Sequence, residues 1–190
     1  MFYFPKFFHP DPTVKRQSGF LAPNLNYSGT VGTGLNLPYY FAFAEHKDLT
    51  INPKIYINEN PILQTEYRHI TKNSFSIIDT SFNQGYKKTS TKKTDGTRNH
   101  FFAATDIDLN FKNFDESNLK INIQKVSNDT YLRVHNISSD LIDSNTVMKS
   151  SVELNLLKRD SSFDVNMYAY ENLNKTNNRY EYVIPSYTYK

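Results

Sequence analysis

Three glycines, Gly29, Gly32 and Gly34, are spaced like those of a phosphate-binding loop. That chemistry needs a helix directly after the glycines, because the N-terminal amides of the helix hold the phosphate. Here residues 35–37 instead continue a strand pattern into Pro38. We therefore interpret the glycines as turn and bulge positions of a sheet.

Metal ligation and acid–base catalysis also lack required parts. Asp106, Asp108 and Asn110 resemble the start of a calcium loop, but Phe111 stands where that loop needs glycine. The pattern is therefore assigned to the polar face of a strand. The histidines show no spacing typical of metal ligands; they are His9, His46, His69, His100 and His135. We predict no catalytic residue, metal or cofactor, although the sequence alone leaves open a Ser–His–Asp set assembled from different strands.

Two prolines, Pro23 and Pro38, carry the strongest functional signal. They lie in consecutive apolar/polar alternating runs that meet at a Gly-rich turn within residues 16–40. Proline cannot donate to a β-ladder, so within sheets it is confined to edges, strand starts and bulges. Two consecutive strands with one proline each predict a sheet margin that pairs weakly, and we interpret this margin as the functional device of the chain.

A group of cations falls in the long segment 83–99. Its members are Lys87, Lys88, Lys92, Lys93 and Arg98. Such a charge run is ordinarily a solvated loop. The functional alternative is that these cations lie on an outer rim and contact the phosphates of a surrounding glycolipid.

The elements that must position these residues are strands. Period-two alternation predicts about ten of them, each long enough to cross a bilayer when tilted. The predicted ranges are 19–28, 33–44, 48–57, 62–71, 74–82, 100–112, 118–127, 146–157, 162–171 and 180–189. A shift of one residue would move carboxylates to the apolar side, so the register is expected to be well fixed.

The connections between the predicted strands alternate in length. The long ones, 83–99, 128–145 and 172–179, each join an odd strand to the next even one. This alternation predicts an antiparallel meander with one smooth rim and one loop-bearing rim, as in outer-membrane barrels. The predicted fold is all-β, the N-terminal part of a large outer-membrane β-barrel that is not closed within this chain, and no helix is expected.

Composition narrows the possible classes of protein. The chain has 190 residues, of which 38% are hydrophobic and 15% aromatic, and it contains no apolar run of about 18 residues that would predict a transmembrane helix. A net charge of +3 is too small to argue for nucleic-acid binding. Cysteine is absent, so these residues form no disulfide.

Two parts of the chain are expected to differ in role. Residues 1–18 contain Pro5, Pro10 and Pro12 among aromatics and are predicted to be an extended connector, without the features of a signal peptide. Residues 19–190 are predicted to be barrel strands. Since the pattern stops within a strand, further strands are expected beyond Lys190.

Four segments together resemble one known family, LptD, which assembles lipopolysaccharide in Gram-negative outer membranes and is also called organic solvent tolerance protein. They are HPDPTVKRQSGFLAPNLNYS (9–28), LNLPYYFAFAEHKDLTINPKI (35–55), LQTEYRH (63–69) and SNDTYLR (127–133). Their order and spacing place the chain at the end of the family's periplasmic domain and the first part of its barrel.

The resemblance implies a barrel of roughly 26 strands preceded by a periplasmic jellyroll. It also implies several partners: lipopolysaccharide as cargo, the LptE lipoprotein as a plug, a periplasmic Lpt bridge reached through the missing N-terminal domain, and outer-membrane lipid. In the family, lipopolysaccharide leaves sideways between the first and last strands, and a proline in each of the first two strands weakens that seam. Pro23 and Pro38 occupy the matching positions, so the resemblance implies that they are lateral-gate prolines.

Two other readings are left open by the alternation itself. A porin-type channel would use the same strands without a seam. A soluble β-sandwich that binds glycans would hide the apolar face against a second sheet. Exposure of that face in the structure distinguishes the sandwich from both barrel readings.

Overall fold

A computed structural model describes residues 16–87 and 96–189, and these form one antiparallel sheet of twelve strands. The strands are β1 (Gly19–Phe20), β2 (Asn24–Ser28), β3 (Gly32–Asn36), β4 (Tyr39–Ala44), β5 (Lys47–Tyr56), β6 (Ile62–Ile70), β7 (Ser74–Asn83), β8 (Arg98–Asp108), β9 (Glu116–Val126), β10 (Val147–Lys158), β11 (Ser161–Asn172) and β12 (Tyr180–Tyr189). A single short helix, α1 (Tyr131–Val134), interrupts them. Among the described residues, no helix is long and apolar enough to cross a membrane.

The predicted all-β antiparallel meander is confirmed. The strands pair in chain order from β4 to β12, while the first hairpin is divided: β1 pairs with β4, and β2 pairs with β3. The first two predicted strands, 19–28 and 33–44, are therefore each split into two elements. The breaks fall at residues 21–23 and 37–38, where Pro23 and Pro38 lie, because proline cannot continue a regular ladder.

Connections of unequal length reach the two rims of the sheet, as predicted. Segments 29–31, 57–61, 84–97, 127–146 and 173–179 lie at one rim, which thus has the two longest connections, and 45–46, 71–73, 109–115 and 159–160 lie at the other. We call the first of these the loop-bearing rim. Most of the predicted connector 1–18 and part of segment 84–97 lie outside the described residues.

No second layer covers the apolar face of the sheet within residues 16–87 and 96–189. Leu25, Phe82 and Ile123 are 76%, 46% and 44% exposed. In β7, Phe82 is exposed although Ser81 and Asn83 on either side of it, which face the other way, are buried. A soluble sandwich would cover such side chains, because leaving large apolar groups in water costs about 25 cal/mol per Å². The structure therefore argues against the sandwich reading and agrees with a face that contacts lipid.

The polar face is the buried one near the loop-bearing rim. Segment 127–146, which we call the strap, folds across this face instead of projecting from the rim. Its Tyr131, Leu132 and Ile137 pack with Phe102 and Val126 in the larger apolar cluster of the described residues. The sequence pattern predicted neither this folding-back nor a helix in the segment.

Local hydrogen bonds explain why the strap turns into a helix there. The side chain of Asn128 accepts bonds from the backbone N–H and hydroxyl of Thr130, a turn that starts α1. At the other end, Asn136 adopts a φ of 47° and the N–H of Ile137 donates to the carbonyl of Leu132 over 2.9 Å. This is the left-handed helix ending that asparagine tolerates.

Candidate functional site

The two predicted gate prolines come together at one irregularity of the first hairpin. Phe20 pairs with Tyr39, and farther along the hairpin Asn24 pairs with Asn36. Between these pairs, Leu21, Ala22 and Pro23 oppose Leu37 and Pro38. The first strand thus carries an extra residue, which is a β-bulge, and a proline stands on each side of it.

Pro38 removes one specific hydrogen bond from this hairpin. The N–H of Leu21 donates to the carbonyl of Pro38 over 2.9 Å. In a regular antiparallel pair of this kind, both residues would exchange bonds, but Pro38 has no N–H to return. The Leu21–Pro38 pair therefore has one ladder bond instead of two.

A third proline, Pro53 in β5, repeats this defect on the next strand pair. The N–H of Leu37 donates to the carbonyl of Pro53 over 3.2 Å, and Pro53 cannot donate in return. Pro53 was not predicted to be a functional residue, although it follows Pro38 at the same sequence spacing as Pro38 follows Pro23. The three prolines form a row of missing donors that crosses the sheet at one level.

A charged cluster fixes the hairpin on the smooth-rim side of this row. Asp48 of β5 is 2% exposed and accepts from Arg16 over 2.6 Å and from Arg68 over 2.9 Å. The hydroxyl of Tyr40 donates to the same carboxylate over 3.2 Å. Because Arg16 precedes β1 and Arg68 lies in β6, the cluster ties the start of the first strand to the interior of the sheet.

These cluster residues come from the segments that carry the family resemblance. RQSGFL contributes Arg16, PYY contributes Tyr40, DLT contributes Asp48 and EYR contributes Arg68. The structure brings them into one contact group beside the first hairpin, which the sequence alone did not predict.

A Ser–His–Asp arrangement does occur, on the polar face beneath the strap. Ser81 Oγ lies 2.6 Å from Nδ1 of His100, and Nε2 of His100 lies 3.0 Å from Asp79 Oδ1. Ser81 and Asp79 lie in β7 and His100 lies in the neighbouring β8, so the set comes from two strands. However, they are at most 2% exposed, and the Ser81 hydroxyl also bonds to the hydroxyl of Tyr131 over 2.8 Å. The arrangement offers no approach to a substrate and instead binds the strap to β7 and β8.

His135, the residue that follows α1, is buried in the strap. Burial, and the positive charges of Arg98 and Lys54, lower the pKa of His135 from 6.5 to about 4. Aromatic rings surround it: Tyr56, Tyr86 and Tyr131. Neither ring nitrogen has a hydrogen-bond partner among the described residues, so the docked strap holds this histidine neutral.

This lowered pKa predicts that acid loosens the strap. An undocked His135 takes up a proton below pH ~6.5, whereas the docked one stays neutral down to about 4, so the undocked state binds more protons in that window. The neutral His135 therefore stabilises the docked strap fully above pH ~6.5. This stabilisation free energy falls by about 3 kcal/mol as the pH is lowered to ~4. We expect amide hydrogen exchange of residues 128–142, corrected for intrinsic rates, to rise across this window in the full-length protein.

The control for this prediction is His135→Phe, which keeps a ring in the cluster and removes the titration. In this variant, the amide hydrogens of the strap should exchange at the same rate at pH 4.5 and pH 7.5 after correction for intrinsic rates. Equal exchange at both pH values in the wild-type protein, or the same acid response in the variant, would contradict the role given to His135.

The predicted phosphate-contacting cations are divided by the structure. Lys87 is exposed at the loop-bearing rim, and its backbone N–H donates to Glu59 over 2.8 Å. Arg98 belongs to β8 rather than to the connecting segment; it is 6% exposed, and its guanidinium lies 4.5 Å from the centre of the Tyr86 ring. The other members, Lys88, Lys92 and Lys93, lie outside the described residues.

The remaining motifs take the structural roles predicted for them. Gly29 lies in the turn between β2 and β3, and Gly32 starts β3 with a φ of 78°, so no helix follows the glycines. Asp106 and Asp108 end β8 and pair with Lys120 and Asn118 of β9. No group of three or more acidic, histidine or cysteine side chains within 16–87 and 96–189 is placed to hold a metal ion.

Comparison with known proteins agrees with this arrangement. The family model described as LptD protein matches residues 1–190. Among curated relatives named LPS-assembly protein LptD, that of Psychrobacter cryohalolentis is 41% identical over 73 residues, 38% of this chain and 7% of the relative. That of Pseudomonas aeruginosa is 33% identical over 82 residues, 43% of this chain and 9% of the relative.

The aligned part thus spans less than a tenth of these two relatives, so the chain corresponds to a small part of a much longer protein. The family model, in contrast, covers the chain from end to end. With its uncovered apolar face, its meander topology and its proline-marked first hairpin, this chain belongs to the LptD protein family.

Proposed function

We propose that the chain supplies the first strands of an outer-membrane β-barrel that inserts lipopolysaccharide into the outer leaflet of a Gram-negative outer membrane. The observation that carries this proposal is the row of missing donors at Pro23, Pro38 and Pro53, which crosses the first hairpin and the neighbouring β5 in a sheet with an exposed apolar face. A generic channel has no need for a weakened first hairpin.

The two faces of the sheet suit the two halves of a glycolipid. On the polar face, away from the strap, lie half-buried polar side chains such as Glu66, Asn122 and Glu153, which suit a hydrated saccharide. The apolar face suits acyl chains. If the seam beside β1 and β2 opens, the acyl chains can remain in the membrane while the saccharide passes along the polar face.

Pro23 and Pro38 are proposed as the lateral-gate residues. Each removes an N–H donor, and a net ladder bond is worth about 0.5–1.5 kcal/mol. Their position at one bulge lowers the free energy needed to separate the hairpin locally, while the Arg16–Asp48–Arg68 cluster keeps the start of β1 attached.

Other partners follow from the family. We propose that residues 1–18 connect to a periplasmic domain that receives lipopolysaccharide from the Lpt bridge, and that LptE plugs the completed barrel. Lys87, with Lys88, Lys92 and Lys93, is proposed to contact phosphates of lipopolysaccharide at the outer rim. Arg98 would join these contacts only if its stacking on Tyr86 were released.

Depletion of the full-length protein in its source bacterium tests this function. We expect surface lipopolysaccharide, measured by labelling intact cells, to fall as the protein is diluted by growth, and newly made lipopolysaccharide to accumulate inside. Expression of the wild-type gene should restore it. A porin-type channel would instead change the uptake of small solutes and the conductance of planar bilayers, with surface lipopolysaccharide unchanged.

A further inference from the structure

The part of the first hairpin beyond the proline row is built as a separate unit, which we call the flap (residues 24–36). β2 and β3 pair along their whole length, from Asn24–Asn36 to Ser28–Gly32. The amide of Asn26 also donates to the side chain of Asn36 over 3.2 Å. The flap is therefore held together internally across both of its strands.

Toward the rest of the sheet, the flap is held weakly. β3 pairs with β5 only from Gly34–Tyr56 to Asn36–Lys54, with one further bond of 3.3 Å from the N–H of Ile57 to the carbonyl of Thr33. The next pair toward the smooth rim is Leu37–Pro53, which lacks one bond. On the other side of the row, β1 pairs with β4 and is fixed by the charged cluster. The proline row thus separates an anchored half of the hairpin from the flap.

The strap supplies a further set of contacts to the flap. The hydroxyl of Ser28 donates to the carbonyl of Val134 over 2.8 Å, and the amide of Asn136 donates to the carbonyl of Tyr27 over 3.3 Å. Val31, in the flap turn, is 3% exposed. It packs with Tyr56 of β5 and Ile62 of β6 in a small apolar cluster, which Val134 of the strap also contacts. The tip of the flap is therefore latched by the middle of the strap.

The strap itself is anchored elsewhere. Gln124 of β9 donates to the carbonyl of Leu141 over 2.7 Å, and Gln64 of β6 donates to that of Ser138 over 3.4 Å. Near its start, Asp129 pairs with Arg179 over 2.6 Å. With the Tyr131–Ser81 bond, these contacts keep the strap on the sheet whether or not the flap touches it.

From these contacts we infer that the flap swings away from an otherwise fixed strap about the row of Pro23, Pro38 and Pro53, and that the Ser28–Val134 and Tyr27–Asn136 contacts are its latch. The inference rests on the proposed function and adds to it a moving segment, the flap, together with the proline row as its hinge and the strap contacts as its latch. Leu25 and Tyr27, exposed on the free edge of β2 at 76% and 73%, would move with it. Pro53 becomes a third positioning residue of the gate.

Reversible cross-linking of the full-length protein tests the latch. Ser28→Cys with Val134→Cys joins flap to strap, and the matched pair Gln64→Cys with Ser138→Cys joins strap to β6. A short bis-thiosulfonate reagent is applied to intact cells, and surface delivery of pulse-labelled lipopolysaccharide is measured before and after reduction. We expect the first cross-link to lower delivery at least tenfold, reversibly, and the second to leave it within twofold.

Two results would overturn the inference. If the Ser28–Val134 cross-link leaves delivery unchanged, the flap does not move away from the strap. If both cross-links block delivery equally, the strap as a whole must leave the polar face. Failure of the proposed function would look different, since depletion of the protein would then leave surface lipopolysaccharide unchanged.

A hinge variant gives an independent measurement. Pro53→Ala returns the missing donor to Leu37 and should lower the delivery rate about two- to tenfold. The control, Pro185→Ala, changes a proline in β12 at the opposite end of the sheet, beside another register shift, and should leave the rate unchanged. Equal rates for Pro53→Ala and the wild-type protein would remove Pro53 from the hinge.

Discussion

Replacing both Pro23 and Pro38 by alanine in the full-length protein is expected to reduce delivery of lipopolysaccharide to the cell surface by about 5- to 150-fold. Pro38→Ala restores a donor that faces the carbonyl of Leu21, and Pro23→Ala restores a backbone N–H on the bulged strand. Two additional ladder bonds would stabilise the closed hairpin by about 1–3 kcal/mol. If opening precedes release, the open population falls by the corresponding factor. Pulse-labelling of surface lipopolysaccharide measures the rate, with matched protein levels in the membrane.

The single variants and a distant control make this prediction specific. Pro38→Ala restores a donor facing the carbonyl of Leu21, whose own N–H already bonds to residue 38, and should account for a large share of the effect. Pro185→Ala should have none. A double variant that delivers lipopolysaccharide at the wild-type rate would show that pairing at this bulge does not limit transport.

The second large effect concerns the buried carboxylate beside the hairpin. Changing Arg16 and Arg68 together to methionine leaves Asp48, 2% exposed, without a cationic partner in the cluster. Removing the partners of a buried charge typically costs about 3–5 kcal/mol. We expect the folded full-length protein, purified in detergent, to unfold at a markedly lower temperature, as followed by its heat-dependent electrophoretic mobility.

Adding Asp48→Asn to that variant separates charge from packing. Asparagine keeps the shape of the side chain and removes the uncompensated charge, so the triple variant should recover most of the lost stability. A triple variant as unstable as the double one would mean that the arginine side chains act mainly through packing.

The strands were predictable from the sequence because half-buried strands have a strict period. In β9, Leu119, Ile121 and Ile123 alternate with polar residues, and the structure places these two sets on opposite faces. The predicted strand ends also gave the lengths of the connections, and so predicted that the longest connections lie at one rim of the sheet. Period-two alternation predicted the first two strands as continuous, because the alternation persists through Pro23 and Pro38 although regular pairing is interrupted there.

Other features depended on information that period-two alternation does not carry. The strap has apolar residues at Tyr131, Leu132 and Ile137 without strand spacing, and such a run does not reveal which surface it covers. The contact of Arg16 with Asp48 depends on pairing between distant strands. Pro53 was overlooked because Ile51 and Ile55 keep the alternation intact around it, although the regular spacing of the three prolines was visible.

The most direct test of the central claim asks where newly made lipopolysaccharide contacts the protein on its way out. A photo-cross-linking amino acid is placed at Leu21, beside the proline row, or at Ile123, on the apolar face of β9 far from the first hairpin, and cells are illuminated soon after a pulse of labelled precursor. We predict that Leu21 forms a labelled adduct before label appears at the cell surface, whereas Ile123 forms one only afterwards. Equal early adducts at the two positions, or an early adduct at Ile123 alone, would contradict exit through this hairpin.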